Sequence, residues 1–290
     1  MFPLTRTVPQ VKFPAKFKIP ERHPDIYFRS MPTIDLQKAG SFCWIELATT
    51  DQNAAKQFYG SLFGWSAVDM PMAPGEFYSM FKLAGHDAGA AYTLRAEQRA
   101  GGVPPHWTLY ILVKNTDETA QLAAKSGATI LMPPMDVMEQ GRMAVLKDPA
   151  GASICIWQPK QHSSALLVRE PGSICWADLN TPDPQGAQRF YTTVFGWEFI
   201  ASPHTNPPYL QIKNGDDYIG GIPPCVPPAN VPAHWMAYFL VTDCDASSAK
   251  AIEQGGSFCL EPMNIEHVGR MSILKDPQGA FFALFQPQGK

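Results

Sequence analysis

The chain is written twice. The segment "CWIELATTDQNAAKQFYGSLFGW" (43–65) returns as "CWADLNTPDPQGAQRFYTTVFGW" (175–197), with equal length and the same skeleton. The correspondence continues in order. Pro105-His106-Trp107 returns as Ala233-His234-Trp235, Gly141-Arg142-Met143 as Gly269-Arg270-Met271, and Lys147-Asp148-Pro149-Ala150-Gly151 as Lys275-Asp276-Pro277-Gln278-Gly279. A long repeat in fixed order means one structural unit built twice. Repeat one covers about 42–158 and repeat two about 173–287. The expected organisation is an extended arm (1–40), a first domain (41–159), a linker (160–172) and a second domain (173–290). At 45% apolar residues and 17% charged, 290 residues hold enough material for two cores.

Pattern supplies the elements inside each copy. "FCWIELA" and "SICWADL" are short apolar runs with alternation, and so strands. Asp51 and Asp183 stand where a helix cap belongs, with Pro184 suited to the first helical position. Ala55, Phe58, Tyr59 and Leu62 keep one helical face, and Gly64 and Gly196 suit the left-handed residue that ends a helix. Strands follow at about 77–82 and 88–94, and at 208–213 and 218–222. After a Pro-rich loop, a strand starts at His106 or His234, with a helix behind it. Asp-Pro-x-Gly then turns the last hairpin. Each copy therefore reads as a strand-helix-three-strand unit used two times. The expected class is α+β: two tandem cupped mixed β-sheet domains built from paired βαβββ modules, helices on the outer face.

These marks resemble the vicinal oxygen chelate superfamily, also called the glyoxalase/bleomycin-resistance/dioxygenase superfamily. They are the Asp-capped helix with Phe-Tyr and Phe-Gly-Trp, the strand after the Pro-rich loop, and Asp-Pro-x-Gly before the last strand. The likeness covers both repeats but not 1–40, and is nearest to tandem glyoxalase-like bacterial proteins. It implies a small-molecule cup. In metal-dependent members it also implies His or Glu ligands on the first, fourth, fifth and last strands. Mapped residue by residue, those positions hold Trp44, Thr108 and Cys155 in repeat one, and Trp176, Met236 and Ala283 in repeat two. The fourth strands, "AGAAYTL" and "YIGGIPP", offer neither Glu nor His. Indole, thioether and methyl groups do not bind a divalent metal, and Thr binds one poorly. No metal residue is assigned and no cofactor is expected, with a divalent metal left open.

Residues two apart on a strand share a face. Glu46 should therefore join Trp44 in the cup, and His106 should join Thr108. If the first and fifth strands lie side by side, Glu46 would approach His106, and Asp178 would approach His234. Such a pair can act as a general base or bind a ligand. The alternative is a polar pair that satisfies itself and fixes strand register. Trp44 and Trp176 either stack a planar ligand or fill space, while Trp107 and Trp235 have core parity. Cys155 reads as buried filler rather than a nucleophile. Arg142 and Arg270 either reach an anion or pair on the surface. His23, His86, His162, His204 and His267 carry no motif.

The six cysteines include no CxxC, which argues against structural zinc. The net charge of −3 gives no electrostatic case for nucleic acid or an anionic membrane. The N-terminus lacks the apolar core of a secretory signal, so a cytoplasmic location is the default. The leading expectation is a metal-free binder of a small molecule, an aromatic metabolite or antibiotic that is sequestered. The runner-up is a lyase or isomerase with a displaced site on Glu46/His106 or Asp178/His234. The protein is expected as a monomer or homodimer.

Overall fold

The computed structural model describes residues 38–161, 166–202, 208–224, 227 and 231–289. The arm up to residue 37, Cys225, His23, His162 and His204 lie outside the described residues. The first repeat runs β1 (Phe42–Thr49), α1 (Gln52–Phe63), β2 (Ser66–Ala73), β3 (Glu76–Leu83), β4 (His86–Thr93), α2 (Ala96–Ala100), β5 (His106–Leu112), α3 (Thr116–Lys125), β6 (Thr129–Val137), β7 (Gly141–Lys147) and β8 (Ser153–Pro159). The second runs β9 (Ile174–Asn180), α4 (Pro184–Phe195), β10 (Glu198–Ala201), β11 (Leu210–Asn214), β12 (Asp217–Ile222), β13 (His234–Leu240), α5 (Cys244–Glu253), β14 (Ser257–Ile265), β15 (Gly269–Lys275) and β16 (Phe281–Pro287). Each repeat closes its own eight-stranded sheet, in the orders β2-β3-β4-β1-β5-β8-β7-β6 and β10-β11-β12-β9-β13-β16-β15-β14. This is the expected α+β class. Among the described residues no helix is long and apolar enough to cross a membrane.

The caps form as their residue types dictate. The Asp51 carboxylate accepts from Ala54 N at 2.9 Å, and Asp183 accepts from Gly186 N at 2.8 Å. Gly64 and Gly196 end their helices at φ 75° and 72°. The buried face of α1 is Ala55, Phe58, Tyr59 and Phe63, with Leu62 only partly buried. Strand β1 is central, so even its polar end is enclosed. Strand β4 begins at His86, but that residue is exposed at the far end from the cup floor.

The helices lie on the convex face of each sheet, and the two convex faces pack against each other. Phe63 stacks on Phe239 with ring centroids 4.9 Å apart, Trp107 meets Phe239 at 5.4 Å, and Phe42 meets Trp235 at 5.3 Å. One core cluster therefore spans both repeats. Its polar contacts are reciprocal. Tyr59 on α1 donates to Asp276 at 3.0 Å, and Tyr191 on α4 donates to Asp148 at 3.1 Å. Trp107 and Trp235 donate to those same two hydroxyls. The Trp65 indole donates to Gly172 O, and the Trp197 indole to Gly40 O, each at 2.8 Å. Gly172 sits at φ 87°, and a Cβ there would press on the Phe63 carbonyl. A side chain would thus be opposed both by the backbone angle and by the other helix's end.

Candidate functional site

The cup floors are set by the pairing of β1 with β5, and of β9 with β13. In the first, Trp44 lies opposite Tyr110, Glu46 opposite Thr108, and Ala48 opposite His106. In the second, Trp176 lies opposite Tyr238, Asp178 opposite Met236, and Asn180 opposite His234. The central antiparallel pairing is as expected, and all these cup residues except Ala48 line the open concave space. The expected acid–histidine pairs do not form. The register sets His106 one pleat beyond the neighbour of Glu46, and its Nδ1 lies 2.7 Å from Pro104 O. His234 behaves alike, with Nδ1 at 2.9 Å from Pro232 O. A carbonyl only accepts, so Nδ1 carries the proton and Nε2 is the basic nitrogen of the neutral ring.

The acids instead take tyrosines. Tyr110 Oη donates to Glu46 Oε1 at 3.0 Å, Tyr78 also hydrogen-bonds Glu46, and the Trp44 indole donates to Tyr78 Oη at 2.9 Å. In the second cup, Asp178 Oδ1 accepts from Tyr209 at 2.5 Å and from the Trp176 indole at 3.1 Å, while Oδ2 accepts from Tyr238 at 2.8 Å. Trp176 also donates to Tyr209 Oη at 2.7 Å. Burial raises the carboxyl pKa of both Glu46 and Asp178, and the hydroxyl donors pull only partway back. Burial and the adjacent acid hold Tyr78, Tyr110 and Tyr209 well above the ordinary phenol range, so they stay protonated donors. Strand parity alone would have found Tyr110 and Tyr238, which lie two residues beyond Thr108 and Met236. Tyr78 and Tyr209 come from β3 and the residue before β11, and no local pattern links them to the acids.

The remaining candidates resolve by geometry. Cys155 is 3% exposed beside Tyr110, and burial, then the charge of Glu46, raises its thiol pKa, so it is no thiolate nucleophile. Met236 and Ala283 are buried in the second cup. Arg142 forks onto Asp117 and also reaches Asp136, while Arg270 pairs with Asp245. Both arginines therefore serve surface pairs. Trp107 and Trp235 are core, as their parity predicts.

The first cup is rimmed by apolar side chains that stay exposed on β2, β3, β6 and the turn after β6, including Met70, Met72, Phe77, Met135 and Met138. The open space along both concave faces totals about 3690 Å³, against roughly 300–1,000 Å³ for a single small-molecule pocket. The profile of the Glyoxalase/Bleomycin resistance protein/Dioxygenase superfamily matches residues 41–156 and 173–284.

The chain belongs to that superfamily. It is 40% identical over 265 residues to "Putative glyoxylase CFP32" of Mycobacterium bovis, covering 89% of this chain and 98% of the relative. It is 32% identical over 264 residues to "Anthracycline biosynthesis protein DnrV" of Streptomyces peucetius, covering 85% of this chain and 93% of the relative. Its fold matches the Mn(II)-bound glyoxalase of Novosphingobium aromaticivorans at a TM-score of 0.60 and 14% identity, covering 86% of this chain and 82% of that one. Of the positions mapped from the family resemblance, Trp44, Thr108 and Cys155 line the first cup and Trp176 and Met236 the second, while Ala283 is fully buried. Each nearby acid is already hydrogen-bonded by tyrosines. Among the described residues no three His, Cys, Asp or Glu side chains gather.

Proposed function

We propose that this superfamily member binds and sequesters a small planar aromatic molecule in a cup, without a divalent metal at the family's usual ligand positions. The observation that carries this is the Glu46 acid held by the hydroxyls of Tyr110 and Tyr78, the latter in turn held by the Trp44 indole, under a methionine-rich apolar rim. Methionine rims adapt to flat apolar ligands, and a few convergent polar groups fix their orientation. The name of the Streptomyces relative supports a polycyclic aromatic as the ligand class. The chain is read as a monomer or homodimer that meets no nucleic acid or membrane, with residues 1–40, 41–159, 160–172 and 173–290 as its segments.

Quinizarin, a planar dihydroxyquinone, is a suitable probe. Saturable quenching of tryptophan fluorescence is expected, with Kd on the order of micromolar and no chemical change in the recovered probe. Glu46→Gln should weaken binding about tenfold by changing one charge-assisted hydrogen bond. Stoichiometric metal in protein purified without chelator, lost in Glu46→Ala, would overturn the metal-free reading.

A second reading is favoured by one specific observation: His106, its Nδ1 held at Pro104 O, lines the same open cup as Glu46. This is a lyase or isomerase with a displaced site on Glu46/His106 or Asp178/His234. The glyoxylase name of the mycobacterial relative supports it. Turnover of a dicarbonyl substrate that disappears in His106→Ala would establish it over sequestration.

A further inference from the structure

The two cups share a plan but not a state. The residue that pairs with the acid on the neighbouring parallel strand is Ala90 beside Glu46, and Gly221 beside Asp178. Tyr209 lies flat over Gly221, in space that a Cβ would occupy. From there its hydroxyl reaches Asp178, which the Trp176 indole also covers. Ala90 carries that Cβ, so Tyr78, which also hydrogen-bonds Glu46, cannot take the space over the neighbouring strand that Tyr209 takes.

The exposures follow. Glu46 and Thr108 on the first floor are each partly open, whereas Asp178 and Met236 on the second are 4% and 5% exposed. The backbone of Glu46 is paired on both sides, with Ala90 and Thr108, so its exposed part is side chain facing the cup. In the second cup, half-exposed Trp176 and Tyr209 carry the exposure in place of the acid. Met236, Tyr238, Met271, Ala283 and Phe285 pack into a separate hydrophobic cluster beneath this floor.

We propose that the first cup alone takes the ligand and that the second, though it lines the same open space, has its acid sealed off by Tyr209 resting on Gly221. This rests on the ligand-binding reading above. It adds which site is used, and that the ligand presents a hydroxyl group that donates to Glu46 beside Tyr78 and Tyr110. Asp178 has no room to receive such a group, since three donors from its own repeat already occupy both of its oxygens.

Two measurements on the full chain test it. The first labels carboxyls with a water-soluble carbodiimide and glycine ethyl ester, read by peptide mass spectrometry without any ligand. Glu46 should label and Asp178 should stay protected. Gly221→Ala, which displaces the Tyr209 hydroxyl, should expose Asp178, and Tyr209→Ala should do so without adding a clash. The second is the stoichiometry of quinizarin binding, expected at one equivalent in the wild type and rising towards two in the opened variants. Labelling of Asp178 as fast as Glu46 in the wild type, or two equal wild-type sites, would overturn the sealed second cup. Protection of Asp178 that persists in both opened variants would overturn the role of Tyr209 and Gly221. The absence of saturable binding, with the labelling contrast intact, would overturn the ligand reading while supporting the sealed cup.

Discussion

Glu46 shows what a single side chain inherits from its surroundings. Its carboxyl pKa lies above the ordinary value because burial disfavours the charge more than Tyr78 and Tyr110 restore it. The native state therefore binds this proton more tightly than the unfolded chain does. The stabilising contribution is complete below the unfolded carboxylate pKa and is lost as pH rises through the folded one. Glu46→Gln keeps the shape and removes the titration. Its stability should gain on the wild type as pH rises from about 4, the ordinary glutamate pKa, towards neutrality, by a margin on the order of 1 kcal/mol. Melting curves collected across that range check this, and a constant offset would show that Glu46 does not carry the dependence.

Caps dominate at the scale of elements, because they depend on one side chain and the backbone nearest it. Asp51 and Asp183 hold Ala54 N and Gly186 N as the sequence pattern predicts. Asp51→Ala should cost about 1 kcal/mol in urea denaturation, the usual worth of an N-cap. Gly64→Ala isolates the backbone term, since nothing lies near its missing Cβ while φ is 75°. The loss should be about 1–2 kcal/mol, the cost of a left-handed L-residue. The five-residue helix α2 escapes pattern reading, because its N-cap is Arg95 rather than a usual capping residue and it buries no side chain. Strand β2 carries no signal of core burial either, as every residue in it is exposed.

For the whole molecule, the repeated signature changes meaning. Phe-Tyr, Phe-Gly-Trp, His-Trp and Asp-Pro-x-Gly look like marks of one domain's fold. Several of them are contacts between the two. Tyr59 closes on Asp276, Tyr191 on Asp148, Trp65 on Gly172, and Trp197 on Gly40. A pair of like domains packed face to face needs each contact made in both directions, and so each residue appears in both copies. Tyr59→Phe should destabilise by about 1–3 kcal/mol, because it leaves the buried Trp107 indole and Asp276 each short of a partner. Tyr191→Phe should match it. Thermal unfolding of the two variants measures this, and losses close to zero would mean that the clasp adds little to packing.

The repeat, the α+β class, the caps and the parity of Trp107 and Trp235 were legible from sequence, because each depends on neighbours a few residues apart or on a pattern written twice; that the first and fifth strands lie side by side came from the family resemblance. Parity also put Glu46 and Asp178 in the cups. It could not supply their partners. Register and side-chain direction turned His106 and His234 to the carbonyls of Pro104 and Pro232, and brought Tyr78 and Tyr209 to the acids from other strands. Hydrogen bonds of that kind depend on distances across the sheet, between residues far apart in the sequence. Only the tertiary structure sets those distances.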